Sequence, residues 1–87
     1  MRPARWSSHA EKKLLHREID RVQTEKTLEE PDEIIPIDPS RVIYQRLYFD
    51  ELLNQHMLLR VVVEETAHER VVITLYKTSR LQKYRGR

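Results

Sequence analysis

Apolar and polar residues follow two different periods along the chain, and the change comes near residue 30. Ser8 is followed three residues later by Glu11, which is the spacing of a capping box and predicts that a helix begins there. Asp20 and Gln23 repeat this spacing and predict a second helix. That helix should end at Pro31, because a proline disfavours helical geometry in the residue before it. The apolar residues expected to face the core are Ala10, Leu14 and Leu15 in the first helix and Val22 and Leu28 in the second.

After residue 31 the apolar residues follow period two, which is typical of β-strands. Strands are predicted at residues 34–37, 41–49, 57–65 and 69–78, with a further short strand at residues 5–6 as an option. The first of these contains Pro36 and belongs at a sheet edge. Alternation along the second puts Val42, Tyr44 and Tyr48 on one side and Ile43, Leu47 and Phe49 on the other. The sequence therefore predicts an α+β fold, with two N-terminal helices packed on a three- to four-stranded antiparallel sheet.

Size and composition exclude several classes of protein. The chain has 87 residues, which predicts a single domain over residues 1–87 with a basic C-terminal tail at residues 79–87. It has no cysteine, so disulfide scaffolds, thiolate zinc sites and thiol catalysis are excluded, and its single glycine excludes a glycine-rich phosphate loop. No apolar run is long enough for a membrane span, and the N-terminus lacks the apolar region of a signal peptide. We expect a cytoplasmic protein with no membrane partner and no cofactor.

The net charge of +2 hides a strong asymmetry. Residues 1–17 contain five Lys or Arg and one acid, whereas residues 18–40 contain two Lys or Arg and eight acids. Residues 41–75 are close to balanced, and residues 76–87 contain five Lys or Arg and no acid. Two basic ends therefore enclose an acidic middle. This pattern suggests an anionic partner for the basic ends and a cationic partner for the acidic middle.

The basic C-terminal end has the composition of an RNA-binding segment. It combines five cations, which can contact phosphates, with two tyrosines, on which unpaired bases can stack. The alternative is a solvated tail without a ligand. The residues of this end expected to bind RNA are Arg80, Lys83, Tyr84 and Arg85.

Histidine and arginine supply the other candidates for chemistry. His9 lies in the first turn of the predicted helix, where the helix dipole favours neutral imidazole, so it is either a general base or a structural side chain. No two histidines have the i, i+4 spacing of a metal site, and we expect no bound metal. Arg17, Arg46 and Arg60 are candidate phosphate clamps because a guanidinium matches two phosphate oxygens. Arg60 interrupts an apolar strand, so it must face either a groove or an acid such as Glu64 or Glu18.

The two ends of the chain also carry family-like motifs. Residues 8–20, SHAEKKLLHREID, resemble the opening of a widespread prokaryotic domain-of-unknown-function family, and residues 59–65 and 71–79 resemble its ending. That family is similar to the RelE/ParE-like toxins, particularly the BrnT-like branch. The chain departs from the pattern at Lys13, where arginine is usual, and at Glu18, which replaces a small residue beside Arg17.

The resemblance implies a RelE-like fold and a metal-independent ribonuclease toxin that is held inactive by a cognate antitoxin protein. In this reading the 2′-hydroxyl of RNA attacks the adjacent phosphate while cations neutralise the developing charge. The residues that it assigns to catalysis are His9, Arg17, Arg60, Tyr76 and Lys77. Two other functions stay open, namely a non-catalytic module that binds a protein and a protein that binds RNA without cutting it.

Overall fold

The computed structural model describes residues 4–82, which form two helices and a five-stranded sheet. The helices are α1 (Ser8–His16) and α2 (Arg21–Glu29). The strands are β1 (Ala4–Trp6), β2 (Glu33–Pro36), β3 (Arg41–Asp50), β4 (Gln55–Glu65) and β5 (Arg70–Thr78). Their order across the sheet is β1-β5-β4-β3-β2, and neighbouring strands are antiparallel except for β1 and β5, which are parallel.

The α+β class and the two helices are confirmed, but the predicted sheet of three or four antiparallel strands was incomplete. Within residues 4–82 the sheet has five strands and is mixed, because β1 adds a parallel strand beside β5. Strand β1 has three residues, which are too few to show a period-two pattern, so the sequence indicated this strand only as a possible one. Its position depends on pairing with a distant strand, with Trp6 opposite Val72, and the amide of Ser7 continues this pairing to the Val72 carbonyl at 3.0 Å.

Helix α1 begins at Ser8, as predicted, but its N-cap is Ser7 and not the Ser8 of the capping-box pattern. The N-cap is Ser7, which has extended backbone angles and whose Oγ accepts a hydrogen bond from the Ala10 amide at 3.0 Å. The same Oγ donates to the Ile73 carbonyl of β5, also at 3.0 Å. Ser8 is the first helical residue instead of the cap. The capping-box spacing had pointed to Ser8, whereas Ser7 is the serine that both caps the helix and contacts β5.

Ser7→Ala is therefore expected to lower the free energy of unfolding by about 1 kcal/mol, the usual cost of losing a capping side chain. Ser8→Ala should change it very little, since the Ser8 side chain is exposed and Ser7 provides the cap. Urea denaturation of both variants measures the difference. Equal costs for the two serines would contradict the assignment of the cap.

Helix α2 follows its predicted cap, and of its predicted apolar stripe Leu28 is buried whereas Val22 is not. The Asp20 carboxylate accepts from the Val22 amide at 2.8 Å, which confirms the start of the helix. Val22 is exposed, however, and Thr24 and Thr27 are buried beside Leu28. A threonine can take such a position because its hydroxyl donates to the carbonyl four residues earlier, at 3.2 Å for Thr24 and 2.8 Å for Thr27.

The helices pack on one face of the sheet, which we call the helix-side face. We call the opposite face the open face because neither α1 nor α2 packs on it, although its central side chains Gln45, Leu58 and Arg60 are buried. The predicted alternation of β3 is confirmed, since Tyr44 and Tyr48 join the core under the helices, whereas Gln45 and Leu47 point to the open face. The helix-side core consists mainly of Ala10, Leu14, Ile19, Leu28, Tyr44, Tyr48, Met57, Leu59, Val61, Val63, Val72 and Leu75. Among residues 4–82 no helix is long and apolar enough to cross a membrane.

Candidate functional site

Four polar side chains form one row across the open face of the sheet. The strand register places Glu33 of β2 opposite Gln45 of β3, Gln45 opposite Arg60 of β4, and Arg60 opposite Tyr76 of β5. Directly opposed residues of adjacent strands share a face, so each of these side chains lies beside the next one across the four strands. We call Glu33, Gln45, Arg60 and Tyr76 the polar row.

Hydrogen bonds connect each member of the polar row to the next. The Gln45 amide nitrogen donates to a Glu33 carboxylate oxygen, and the Arg60 Nε donates to Gln45 Oε1 at 3.0 Å. The Arg60 Nη1 donates to the Tyr76 hydroxyl at 2.7 Å, and the guanidinium carbon lies 5.7 Å from the centroid of the Tyr76 ring. Arg60 is only 7% exposed and Gln45 is fully buried. These contacts hold the guanidinium in one orientation beside a phenol.

The sequence required a groove or an acid for Arg60, and the structure gives it an amide and a phenol. Glu64, one suggested partner, lies 4.0 Å from Nε of Arg41 instead. Gln45 was missed as a site residue. Its signal was a polar side chain between Ile43 and Leu47 on one side of β3, and only the register shows that it lies opposite Arg60.

Lys77 lies on the helix-side face, away from Tyr76, because successive residues of a strand alternate in direction. Its Nζ donates to Asp50 Oδ2 at 2.7 Å and to the backbone carbonyl of Glu18 at 3.0 Å. The Tyr48 hydroxyl donates to the same Asp50 oxygen at 3.0 Å, and the Leu53 amide donates to Oδ1 at 3.1 Å. Asp50 and Lys77 thus form a buried ion pair at one end of the core.

The pKa of Tyr48 is raised and the pKa of Asp50 is lowered at this ion pair. Burial raises the pKa of the Tyr48 phenol, and its hydrogen bond to the Asp50 carboxylate raises it further. Burial alone would also raise the pKa of Asp50. The hydrogen bonds from Lys77, the Leu53 amide and Tyr48 outweigh burial, so the pKa of Asp50 is lowered. Asp50 is therefore an anion and Tyr48 a neutral phenol at neutral pH.

The other predicted residues are spread over the molecule. His9 is exposed in the first turn of α1, and Arg17 follows that helix and donates from Nη1 to the Leu75 carbonyl at 2.8 Å. Arg46 lies on the helix-side face and donates to Gln23 Oε1 at 3.3 Å. Arg80 is exposed just beyond β5. The predicted RNA-binding residues Lys83, Tyr84 and Arg85 lie outside the described residues.

The structure therefore divides the predicted catalytic set. Arg60 and Tyr76 are in contact on the open face, while Lys77 belongs to the ion pair on the opposite face and His9 lies on the surface of α1. Within the described range 4–82, no three His, Asp or Glu side chains are grouped so that they could hold a metal ion.

The polar row, α1, α2 and nearly all of the sheet lie within one family match. Residues 6–77 match the family model described as a domain of unknown function, DUF4258. The chain belongs to the DUF4258 family. The DUF4258 match includes both Arg60 and Tyr76 and ends at Lys77, before the basic tail. No curated protein and no solved structure is significantly similar to this DUF4258 chain.

Proposed function

We propose that this DUF4258 domain is a metal-independent ribonuclease, related to the RelE/ParE-like and BrnT-like toxins, that binds RNA on the open face of its sheet. The observation that carries the proposal is the contact between Arg60 and Tyr76 in the polar row. Arginine presents a fork of donors that matches phosphate oxygens. The hydrogen bonds from Arg60 to Gln45 and Tyr76 orient that fork before RNA arrives.

The two side chains have complementary parts in such a reaction. The ribose 2′-hydroxyl releases its proton to solvent as its oxygen bonds to phosphorus, the bond from phosphorus to the 5′-oxygen breaks, and the departing 5′-oxygen takes up a proton. Negative charge builds up on the phosphate oxygens during this exchange. Arg60 neutralises that charge. The Tyr76 hydroxyl accepts a hydrogen bond from a cation, which polarises its own O–H and makes it a better donor to phosphate or to the departing oxygen.

Charge along the chain supports an anionic ligand near the end of β5. Beyond Tyr76, the sequence carries five Lys or Arg and no acid up to residue 87. Cations of this kind contact phosphates without reading sequence and would add affinity to the two residues of the row. An antitoxin protein that restrains the ribonuclease belongs to the same proposal.

A second function is RNA binding without cleavage. It is favoured by the separation of His9 and Lys77 from Arg60 and Tyr76, since a general base and a further cation are then not brought to the same phosphate. In that case Arg60 and Tyr76 would hold a phosphate and a base, and the bound RNA would stay intact.

The conservative variant Tyr76→Phe tests the role of the hydroxyl. We expect it to slow RNA cleavage about 100-fold, because a hydrogen-bonding acid or base in the transition state contributes on that order. The measurement is cleavage of free mRNA and of mRNA in a translating extract by purified protein, with EDTA present, together with growth after induced expression.

Tyr44→Phe is the matched control, because Tyr44 lies on the helix-side face and its hydroxyl donates to Glu65. This variant should cut RNA at the wild-type rate. Unchanged RNA and normal growth with folded wild-type protein would reject the ribonuclease, and retained RNA binding in the same sample would favour the second function.

A further inference from the structure

The turn between β3 and β4 borders a surface cleft of about 320 Å³ at one end of the sheet. Glu18, Asp20, Asp50 and Glu51 line this cleft, and no Lys or Arg of the described residues is among its lining side chains. Lys77 neutralises Asp50, and the carboxylates of Glu18, Asp20 and Glu51 remain. The cleft is therefore anionic, in contrast to the basic ends of the chain.

Apolar side chains stand beside these acids and are exposed. Leu52 is 76% exposed, and Phe49 and Leu53 are each 46% exposed. Leu52 lines the cleft and Leu53 follows it in the same turn. Phe49 borders the cleft at the end of β3, with its ring on the open face beside His56. Apolar side chains that are grouped in this way are more typical of an interaction site than the same residues scattered singly.

The turn holds these side chains in place. The Leu53 amide donates to Asp50 Oδ1 at 3.1 Å, and Asn54 closes the turn with φ of 55°, a left-handed geometry that asparagine tolerates. Phe49 packs edge-on against His56 with 5.3 Å between the ring centroids. The apolar patch is therefore presented by ordered backbone before any partner binds, which lowers the entropic cost of binding.

We propose that this cleft and its patch, Phe49, Leu52 and Leu53, dock a basic amphipathic segment of a partner protein. Charge complementarity identifies the occupant, because Lys or Arg side chains would meet Glu18, Asp20 and Glu51 while apolar side chains cover the patch. The same acids repel RNA, so the site is separate from the polar row and does not depend on the proposed ribonuclease activity.

The test measures binding of a labelled helix-forming peptide of about 18 residues, with leucine at i, i+3, i+4 and i+7 and lysine on the other face. A second peptide carries glutamate in place of lysine. Fluorescence anisotropy gives the affinity, and amide chemical shifts locate the contact. We expect the lysine peptide to bind and to shift residues 49–54, and the glutamate peptide not to bind.

Matched variants decide whether the surface itself is responsible. Leu52→Ser and Glu51→Lys should each weaken binding about tenfold, as loss of a central contact does. Leu15→Ser removes a leucine with the same 76% exposure on α1, and Glu25→Lys reverses an exposed acid on α2, and neither should weaken it.

Three results would overturn the proposal. The first is equal weakening by the control variants, and the second is displacement of the peptide by spermine at similar concentration, which would assign the cleft to a small polyamine. The third is self-association of the protein that Leu52→Ser abolishes, which would assign the patch to a second copy of the chain.

Discussion

Lys77→Met is expected to lower the free energy of unfolding by about 3–5 kcal/mol, because it leaves the buried Asp50 carboxylate without its counter-ion. The side chains of Lys77 and Asp50 are only 11% and 6% exposed, so solvent screens their contact weakly. The variant also loses the hydrogen bond from Nζ to the Glu18 carbonyl. Urea denaturation at neutral pH measures the loss, and a cost below about 1 kcal/mol would show that the pair behaves like a surface ion pair.

At acidic pH the difference in the free energy of unfolding between Lys77→Met and the wild type should become smaller. The pKa of Asp50 is lowered in the folded wild type, so its contribution is complete above the unfolded pKa of about 3.9 and is lost as the pH falls through the folded pKa. In Lys77→Met the hydrogen bond and charge of Lys77 no longer lower the pKa of Asp50, so this carboxyl is protonated at a higher pH than in the wild type. Its protonation in acid removes the unpaired buried charge of the variant. The double variant Lys77→Met with Asp50→Asn carries neither charge and should recover part of the stability at neutral pH. A difference in the free energy of unfolding that stays constant with pH would contradict this explanation.

Arg60→Met is expected to reduce RNA cleavage by about 10²–10³-fold, the usual loss when one preorganised donor to a transition-state charge is removed. The variant removes the hydrogen bonds from Arg60 to Gln45 and to the Tyr76 hydroxyl, so both the cation and the alignment of the row are lost. Single-turnover cleavage of mRNA by purified protein gives the rate. Arg60→Lys, which keeps the charge but lacks the fork, should fall between Arg60→Met and the wild type.

Arg70→Met separates a catalytic effect from a stability effect. Arg70 is also 7% exposed, but it lies at the far end of β5 over the ring of Tyr44, 5.9 Å from its centroid. Arg60→Met and Arg70→Met each remove a buried arginine and should both lower the free energy of unfolding. Only Arg60→Met should lose RNA cleavage. Wild-type cleavage by folded Arg60→Met would reject Arg60 as the phosphate clamp.

Local signals located most of the secondary structure. Asp20 capped α2 as predicted, and the alternation from Val42 to Phe49 gave the two faces of β3 correctly. One error lies where a distant contact selected between local options, and another lies where a local side-chain hydrogen bond let a polar residue enter the core. Ser7 caps α1 because it also bonds to β5, and Thr24 replaces Val22 in the core because its hydroxyl has a partner within the helix.

The candidate site shows the same division between local and distant information. Composition alone nominated Arg60, Tyr76 and Lys77 as cations and phenols suited to phosphate. Alternation along β5 separates Tyr76 from Lys77, but the sequence could not show which of the two lies beside Arg60. Pairing of β4 with β5 put Tyr76 beside Arg60. On the helix-side face, the ion pair with Asp50 at the end of β3 gave Lys77 a structural partner.

The sequence by itself determined the α+β class, the two capped helices and the separation of basic ends from an acidic middle, because these follow from local spacing and charge. Only the tertiary structure decided that Glu33, Gln45, Arg60 and Tyr76 form one row and that the acids gather at a cleft with Leu52. The physical reason is register, because the pairing of strands far apart in sequence sets which polar side chains become neighbours.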